Sequence, residues 1–146
     1  MHIAFVIPYF YPALQYGGQP KSCYDLARAL VRRGHSVTVL TTDTAGDARL
    51  ALGSGAITRR NIEGIEVFYY RNLSNYLAFR HRVFLPFALF QDIDRQLAGC
   101  DVLHIHELRS TVTVAAYRAA ARLQIPFVLS THGGLQWLGK RGAKFI

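Results

Sequence analysis

The sequence predicts a doubly wound α/β fold, a mainly parallel sheet covered on both faces by helices. Three observations carry that expectation. Short β-branched and aliphatic runs of strand length alternate with amphipathic stretches of helix length along the chain. The strands read as continuous apolar runs, as strands buried on both faces do. Glycine and proline stand at the boundaries between the two kinds of segment. In such folds right-handed crossovers leave a binding crevice outside the carboxyl ends of the strands.

Residues 3–7, "IAFVI", form the opening apolar strand. Residues 20–33 read as a helix: Pro20 stands near its first position, where a missing N–H costs nothing, and Gly34 lies just past its end. "HSVTVLTT", 35–42, is a β-branched second strand. Residues 43–63 carry charges, three glycines and little periodicity, and are expected to be a long loop of the kind that often serves function. "GIEVFYYR", 64–71, is the third strand. Residues 86–98 read as a helix with Phe87, Phe90, Ile93 and Leu97 on one stripe and Gly99 as its stop. "DVLHIH", 101–106, is the fourth strand, the alanine-rich 110–123 a helix able to pack close to a sheet, and "IPFVLSTH", 125–132, the fifth strand. There is no internal repeat. The last stretch, "GLQWLGKRGAKFI", reads as the beginning of another element, so the expectation is a truncated domain. Apolar surface left uncovered by such a cut would favour self-association, and a homo-oligomer is expected.

At 146 residues the chain suits a single domain with its own core, and about half its residues are apolar. No apolar run approaches the roughly 20 residues of a membrane-spanning helix. "MHIAFVIPYF" reads as a buried strand rather than a signal peptide, which makes a cytoplasmic location the default. Two cysteines, Cys23 and Cys100, make neither a disulfide framework nor a metal cluster. Cys23 shares a helical face with Leu26, Ala27, Leu30 and Val31 and is expected to be a buried, inert thiol. The excess of 17 Lys and Arg over 9 Asp and Glu would draw nucleic acid, anionic lipid headgroups and phosphorylated metabolites alike, or serve solubility alone.

Gly17 and Gly18 stand between the first strand and the first helix. Glycine there lets backbone N–H groups approach a ligand, and the helix end adds about half a positive charge, so the pair can hold a phosphate or another anion. The third glycine of a dinucleotide fingerprint is absent, as is the Lys-Ser/Thr of a nucleoside triphosphate loop, so a plain turn stays open as the other reading. His104 and His106, two apart on a strand, point to one sheet face. With Glu107 and His132 they invite a metal reading, but no second clustered ligand pair accompanies them and carboxylates are scarce. The expectation is instead that His104 packs beneath the crevice and His106 reaches its floor. His132, ending the fifth strand before Gly133 and Gly134, sits where ligands bind; it either hydrogen-bonds or protonates a ligand, or only caps the strand. No serine occupies a nucleophile elbow. "NYLAFRHRVFLPFALF", 75–90, mixes aromatics with Arg80, His81 and Arg82, which suits either an anionic membrane surface or the lead-in to a core helix with a solvated basic edge. The same mixture suits single-stranded nucleic acid, but no nucleic-acid module accompanies it.

Taken in order, "IAFVIPYFYPALQYGGQPKSCYDLARALVRRGHSVTVLTT", "DVLHIHE" and "VLSTHGGL" closely resemble segments of the family-four retaining glycosyltransferases of GT-B fold, and the resemblance covers nearly the whole chain. It implies a Rossmann-like N-terminal domain, the acceptor-binding half of a two-domain enzyme. Such an enzyme moves a sugar from a nucleotide-sugar to a hydroxyl of a lipid, glycan or small molecule, with retention and without a metal or other cofactor. By the match, Gly17 and Gly18 approach the donor diphosphate, His132 is the active-site histidine that contacts the transferred sugar, and Tyr9 and His106 line the acceptor side. The basic surface and the 75–90 segment favour a lipid-linked or membrane-proximal acceptor, with Arg80 and Arg82 as membrane or acceptor contacts, and the expected location is cytoplasmic, either free or at the membrane's inner face. The family's Glu-x7-Glu motif is absent, because Glu63, Glu66 and Glu107 do not make that spacing. The donor-binding C-terminal domain is therefore expected to be missing and the chain alone inactive. Two other classes remain beside this reading: a non-catalytic flavodoxin-like phosphate- or nucleotide-binding module, and a basic nucleic-acid-binding domain.

Overall fold

A computed structural model of the chain describes residues 1–133. Gly134 and the stretch after it, on which the expectation of a cut element rests, lie outside the described residues. The elements run β1 (His2–Val6), a 3₁₀ turn (Leu14–Tyr16), α1 (Gly18–Arg32), β2 (Ser36–Thr42), β3 (Thr44–Ala45), β4 (Ala48–Arg49), β5 (Ile57–Ile62), β6 (Ile65–Tyr70), α2 (Asn75–His81), α3 (Phe87–Leu97), β7 (Val102–His106), α4 (Thr111–Leu123) and β8 (Phe127–Ser130). Six strands form one sheet in the order β5-β6-β2-β1-β7-β8. The five strands from β6 to β8 are parallel, and β5 joins the edge antiparallel to β6. The expected mixed α/β architecture with a mostly parallel sheet is thus present, and every expected strand and helix lies within two residues of its place.

Alternation along β1 divides the core. Ile3, Phe5 and Ile7 pack with Cys23 and Ala27 of α1 on one face. Ala4 and Val6 pack with Leu89, Ile93 and Leu97 of α3 and with Val112, Ala116, Ala119 and Ala120 of α4 on the other. Phe5 is fully buried, a side chain whose burial contributes about 1.5–3 kcal/mol. The alanines let α4 lie close to the sheet, as its composition predicts. Two helical stripes are narrower than spacing implies: Leu26 is 40% exposed at the flank of α1, and Phe87 is 57% exposed because Leu89 takes the inward position in α3.

Residues 43–63 are not the structureless loop expected. They hold the β3–β4 pair and β5, which meets β6 through a two-residue turn at Glu63 and Gly64, both with positive φ as a tight hairpin requires. Because β5 is an edge strand, mostly exposed and reading "ITRRNI", it lacks the apolar run that marks the buried strands. The buried Asp43 pairs with Arg49 and accepts the Asn72 N–H at 2.9 Å, while Asn75 donates to the Ala48 carbonyl at 2.8 Å, so this segment is tied to the start of α2. At the opposite edge β8 leaves Phe127, Val128 and Leu129 exposed. No described helix is long and apolar enough to cross a membrane.

A candidate ligand cleft at the carboxyl edge of the sheet

The chain leaves β1 toward β2 and β6 on one side and later returns to place β7 on the other side of β1. Strand order therefore reverses between β1 and β7, and the segments that follow these strands diverge to open a crevice. A cleft of about 640 Å³ lies there, lined by Tyr9 after β1, Gln19 of α1, His81 and Arg82 at the end of α2, Glu107 to Arg109 after β7, and Thr131 to Gly133 after β8. A second depression, of about 600 Å³ between α3 and α4, lies outside this crevice and shares only Arg82 and Arg109 with it.

One wall is aromatic and basic. Tyr9 and Tyr16 stack with ring centroids 3.9 Å apart and nearly parallel planes, and the Arg82 guanidinium lies 5.6 and 5.8 Å from their centroids. Arg82 donates to the Tyr9 hydroxyl at 3.1 Å, and that hydroxyl donates to Gln19 Oε1 at 3.0 Å. Burial, reinforced by the Glu107 charge, raises the Tyr9 phenol well above its usual range, so it stays protonated. Burial also raises the Glu107 carboxyl, against the Tyr9 hydrogen bond and the Arg82 charge. Gln19 Nε2 and Glu107 Oε2 are buried on this wall without a hydrogen-bond partner among the described residues, one a donor and the other an acceptor.

The floor is a stack of histidines. His104 and His106 share a face, as expected for residues two apart on a strand, and their rings stack at 3.9 Å. His104 Nε2 meets Ser130 Oγ at 2.7 Å. His106 is 1% exposed and lies beneath His132, its Nδ1 3.0 Å from His132 Nε2. Burial, with His104 and His132 beside it, pushes His106 down to about 2, and burial lowers His104 and His132 as well, so all three rings are neutral at neutral pH. Cys23, buried as its place on α1 predicts and pushed up to about 12 by that burial, is not isolated. Its Sγ is 3.2 Å from His106 Nδ1 and 3.9 Å from His132 Nε2.

Strain is concentrated at the same place. Five described residues other than glycine have positive φ: Glu63 and Gln124 in a turn and a helix cap, and Arg82, Glu107 and His132 on the cleft. Arg82 is the left-handed cap of α2, whereas Glu107 (φ 79°) and His132 (φ 46°) turn just beyond the ends of β7 and β8.

The structure brings Tyr9, Arg82 and His132 to one cleft and places His106 under its floor. Gly17 and Gly18 lead into Gln19, with Gly17 as the N-cap of α1 and no side chain capping that helix. Arg80 is exposed on α2 and is not among the lining residues. The sequence reading missed Gln19 and the meeting of Cys23 with the two histidines. It met Glu107 only as a metal candidate, although a carboxylate one residue past a parallel strand is a signal in itself.

The sequence profile of Glycosyltransferase Family 4 matches residues 16–146. An uncharacterized glycosyltransferase of Methanocaldococcus jannaschii is 30% identical over 139 residues, an alignment that takes in 90% of this chain and 31% of the relative. The chain thus spans about a third of the length of that relative.

Proposed function

The chain belongs to glycosyltransferase family 4, and we propose that it is the acceptor-side half of an enzyme that moves a sugar from a nucleotide-sugar to a hydroxyl, with retention of configuration. The donor-binding half, by this reading, is a second domain facing the cleft, and transfer needs both. The observation that carries the proposal is the convergence on one cleft of the α1 N-terminus, His132 and two unpartnered buried polar atoms, Gln19 Nε2 and Glu107 Oε2. That donor and acceptor pair suits a ligand rich in hydroxyl groups.

Gly18 supports the diphosphate assignment. Its φ is not positive, and an added Cβ would meet nothing within 4 Å among the described residues, so neither backbone strain nor packing against them asks for glycine there. A ligand pressed against the helix end does. With Nε2 against His106, neutral His132 keeps Nδ1 to donate to, or accept from, a sugar hydroxyl. In this reading Tyr9, held by Gln19 and Arg82, faces the acceptor, His106 sets the orientation of His132, and the charge on the donor is met by the helix end and neighbouring bases without a metal.

A lipid-linked acceptor at an anionic membrane is the finer form of the proposal. Leu73, Tyr76, Phe79 and Val83 are exposed along and beside α2, next to Arg80. Arg82 sits instead over the tyrosine pair, on the acceptor side. Co-sedimentation with anionic vesicles, reduced by Phe79→Ser and Arg80→Glu together, tests this form.

Calorimetric titration of UDP, GDP and their sugar conjugates tests the main proposal. The expected result is weak binding to the wild-type chain, lost in Gly18→Asp and in His132→Ala. Binding that survives both substitutions would put the donor elsewhere and overturn the assignment. Restoration of transfer by an added donor-binding domain would separate the enzyme from a phosphate-binding module without chemistry.

A further inference from the structure

Cys23, His106 and His132 present three ligand atoms to one point. Sγ, Nδ1 and Nε2 are mutually separated by 3.2, 3.9 and 3.0 Å, and they form the one such group of His, Cys or acidic residues among the described residues. Two-centre hydrogen bonds bridge at most two of the three pairs, because each atom carries at most one proton and a ring nitrogen that carries one has no lone pair left to accept. A shared cation would replace all three contacts with dative bonds.

The dimensions fit a tetrahedral ion. Zinc–sulfur and zinc–nitrogen bonds of about 2.3 and 2.0–2.1 Å give tetrahedral edges of about 3.3 Å between nitrogens and about 3.6 Å between sulfur and nitrogen. The observed S···N separations of 3.2 and 3.9 Å bracket the sulfur–nitrogen edge, and the N···N separation of 3.0 Å falls a few tenths of an ångström short of the other. The ligands come from three separate elements, α1, β7 and the segment after β8, so the fold preorganises them. His132 is exposed and lines the cleft, which gives an ion both access and an open fourth position.

We propose that Cys23, His106 and His132 form a three-ligand site for Zn²⁺ at the floor of the cleft. One thiolate and two imidazoles are the donor set of a borderline-soft d¹⁰ ion and not of Mg²⁺ or Ca²⁺, which take oxygen ligands. Binding drives the Cys23 proton into solvent and leaves the ion with the thiolate, the two neutral rings and a water. The ion takes His132 Nε2, the nitrogen that otherwise meets His106, and leaves only Nδ1 to a sugar in the cleft. This consequence rests on the proposed role of His132, whereas the binding does not.

The test uses the 146-residue chain freed of metal, without any nucleotide-sugar. Co²⁺ is added as a coloured stand-in and then displaced by Zn²⁺. The expected result is an intense thiolate-to-cobalt absorption that saturates at one equivalent, disappears in Cys23→Ser and is unchanged in Cys100→Ser. In His132→Gln it weakens by about tenfold or more, since losing a ligand costs at least what losing an outer-shell partner does. Absence of the absorption, or its loss in Cys100→Ser, overturns the proposal. Calorimetry of Zn²⁺ in two buffers of different ionisation enthalpy guards against a misfolded Cys23 variant, because it needs only the wild-type chain. Release of a proton on binding supports a thiolate ligand, and a buffer-independent heat overturns it. A failed metal titration leaves the transferase reading untouched, and a failed nucleotide titration leaves the metal site untouched.

Discussion

Helices α1 and α4 both begin at the carboxyl edge of the sheet, and their first turns are built in opposite ways. At α4, Ser110 Oγ accepts the Thr113 N–H at 3.1 Å while Thr113 Oγ1 accepts the Ser110 N–H at 3.2 Å, a capping box with both residues buried. At α1 the N-cap is Gly17, which has no side chain to offer, and the first turn holds no acidic residue. Every helix starts with N–H groups it cannot satisfy internally. In α4 the protein satisfies them itself and stability results. At the positive end of α1 neither the N-cap nor an acidic side chain of the first turn does so, which is what the proposed diphosphate site would use.

The comparison can be broken by experiment, most strongly at Gly17. Its φ of 89° and ψ of −151° fall where essentially only glycine is stable. Gly17→Ala should cost about 1–3 kcal/mol of folding stability, read as a lowered urea midpoint. An unchanged midpoint would mean that the α1 entry turn relaxes freely, and the contrast with α4 would lose its conformational half.

Acid should act on the α1 side. His106, against Cys23 of α1, has its folded pKa depressed to about 2 from an unfolded value of about 6.5. The unfolded chain therefore binds more protons below that value, and the stability this ring contributes is present above pH 6.5 and lost as pH falls. In chelator-treated protein the loss from about pH 7.5 to about pH 5 should be on the order of 2 kcal/mol. Thermal melts across that range measure it, and amide protection factors, which remove the intrinsic pH dependence of exchange, should fall in α1 before α4. An equal fall in both helices would place the proton sink elsewhere.

Ser110→Ala sharpens the other pole. Loss of the α4 cap should lower stability by about 1 kcal/mol and leave nucleotide binding unaltered. A change in binding would show that the two helix ends are coupled. The smallest stability effect belongs to Gly18→Ala, at a first-turn site where the new Cβ has room. Melting should stay level or rise by a few tenths of a kcal/mol, while affinity for a diphosphate falls. A variant unchanged in both respects would remove the reason for glycine at that position.

The elements differ in how plainly the sequence shows them, and the cause is burial. β1, β2, β6 and β7 are buried along most of their lengths, and such strands must be written in apolar, β-branched residues that betray them. β5 is exposed, so its residues answer to solvent rather than to packing, and it passes for loop. The same holds in α1, where Cys23 and Ala27 are buried but Leu26 is not: spacing sets the face, and only the neighbouring element sets its width. In the candidate site, Gly17, Gly18 and His132 are legible because they stand beside element boundaries. Gln19 and Arg82 are not, because nothing local distinguishes a cleft-facing side chain from a solvated one.

Local rules, then, were enough for class and order. Period, caps and breakers act over a few residues, and they determined an alternating α/β chain, its helix ends and the one edge of the sheet where ligands are expected. Tertiary structure alone decided which residues meet there. Tyr9 reaches Arg82 across 73 residues, and Cys23 reaches His106 across 83 and His132 across 109. Those meetings follow from strand order, which places β7 beside β1 and β8 beside β7. No property of a single segment encodes that order; it emerges when apolar faces from distant parts of the chain are buried together.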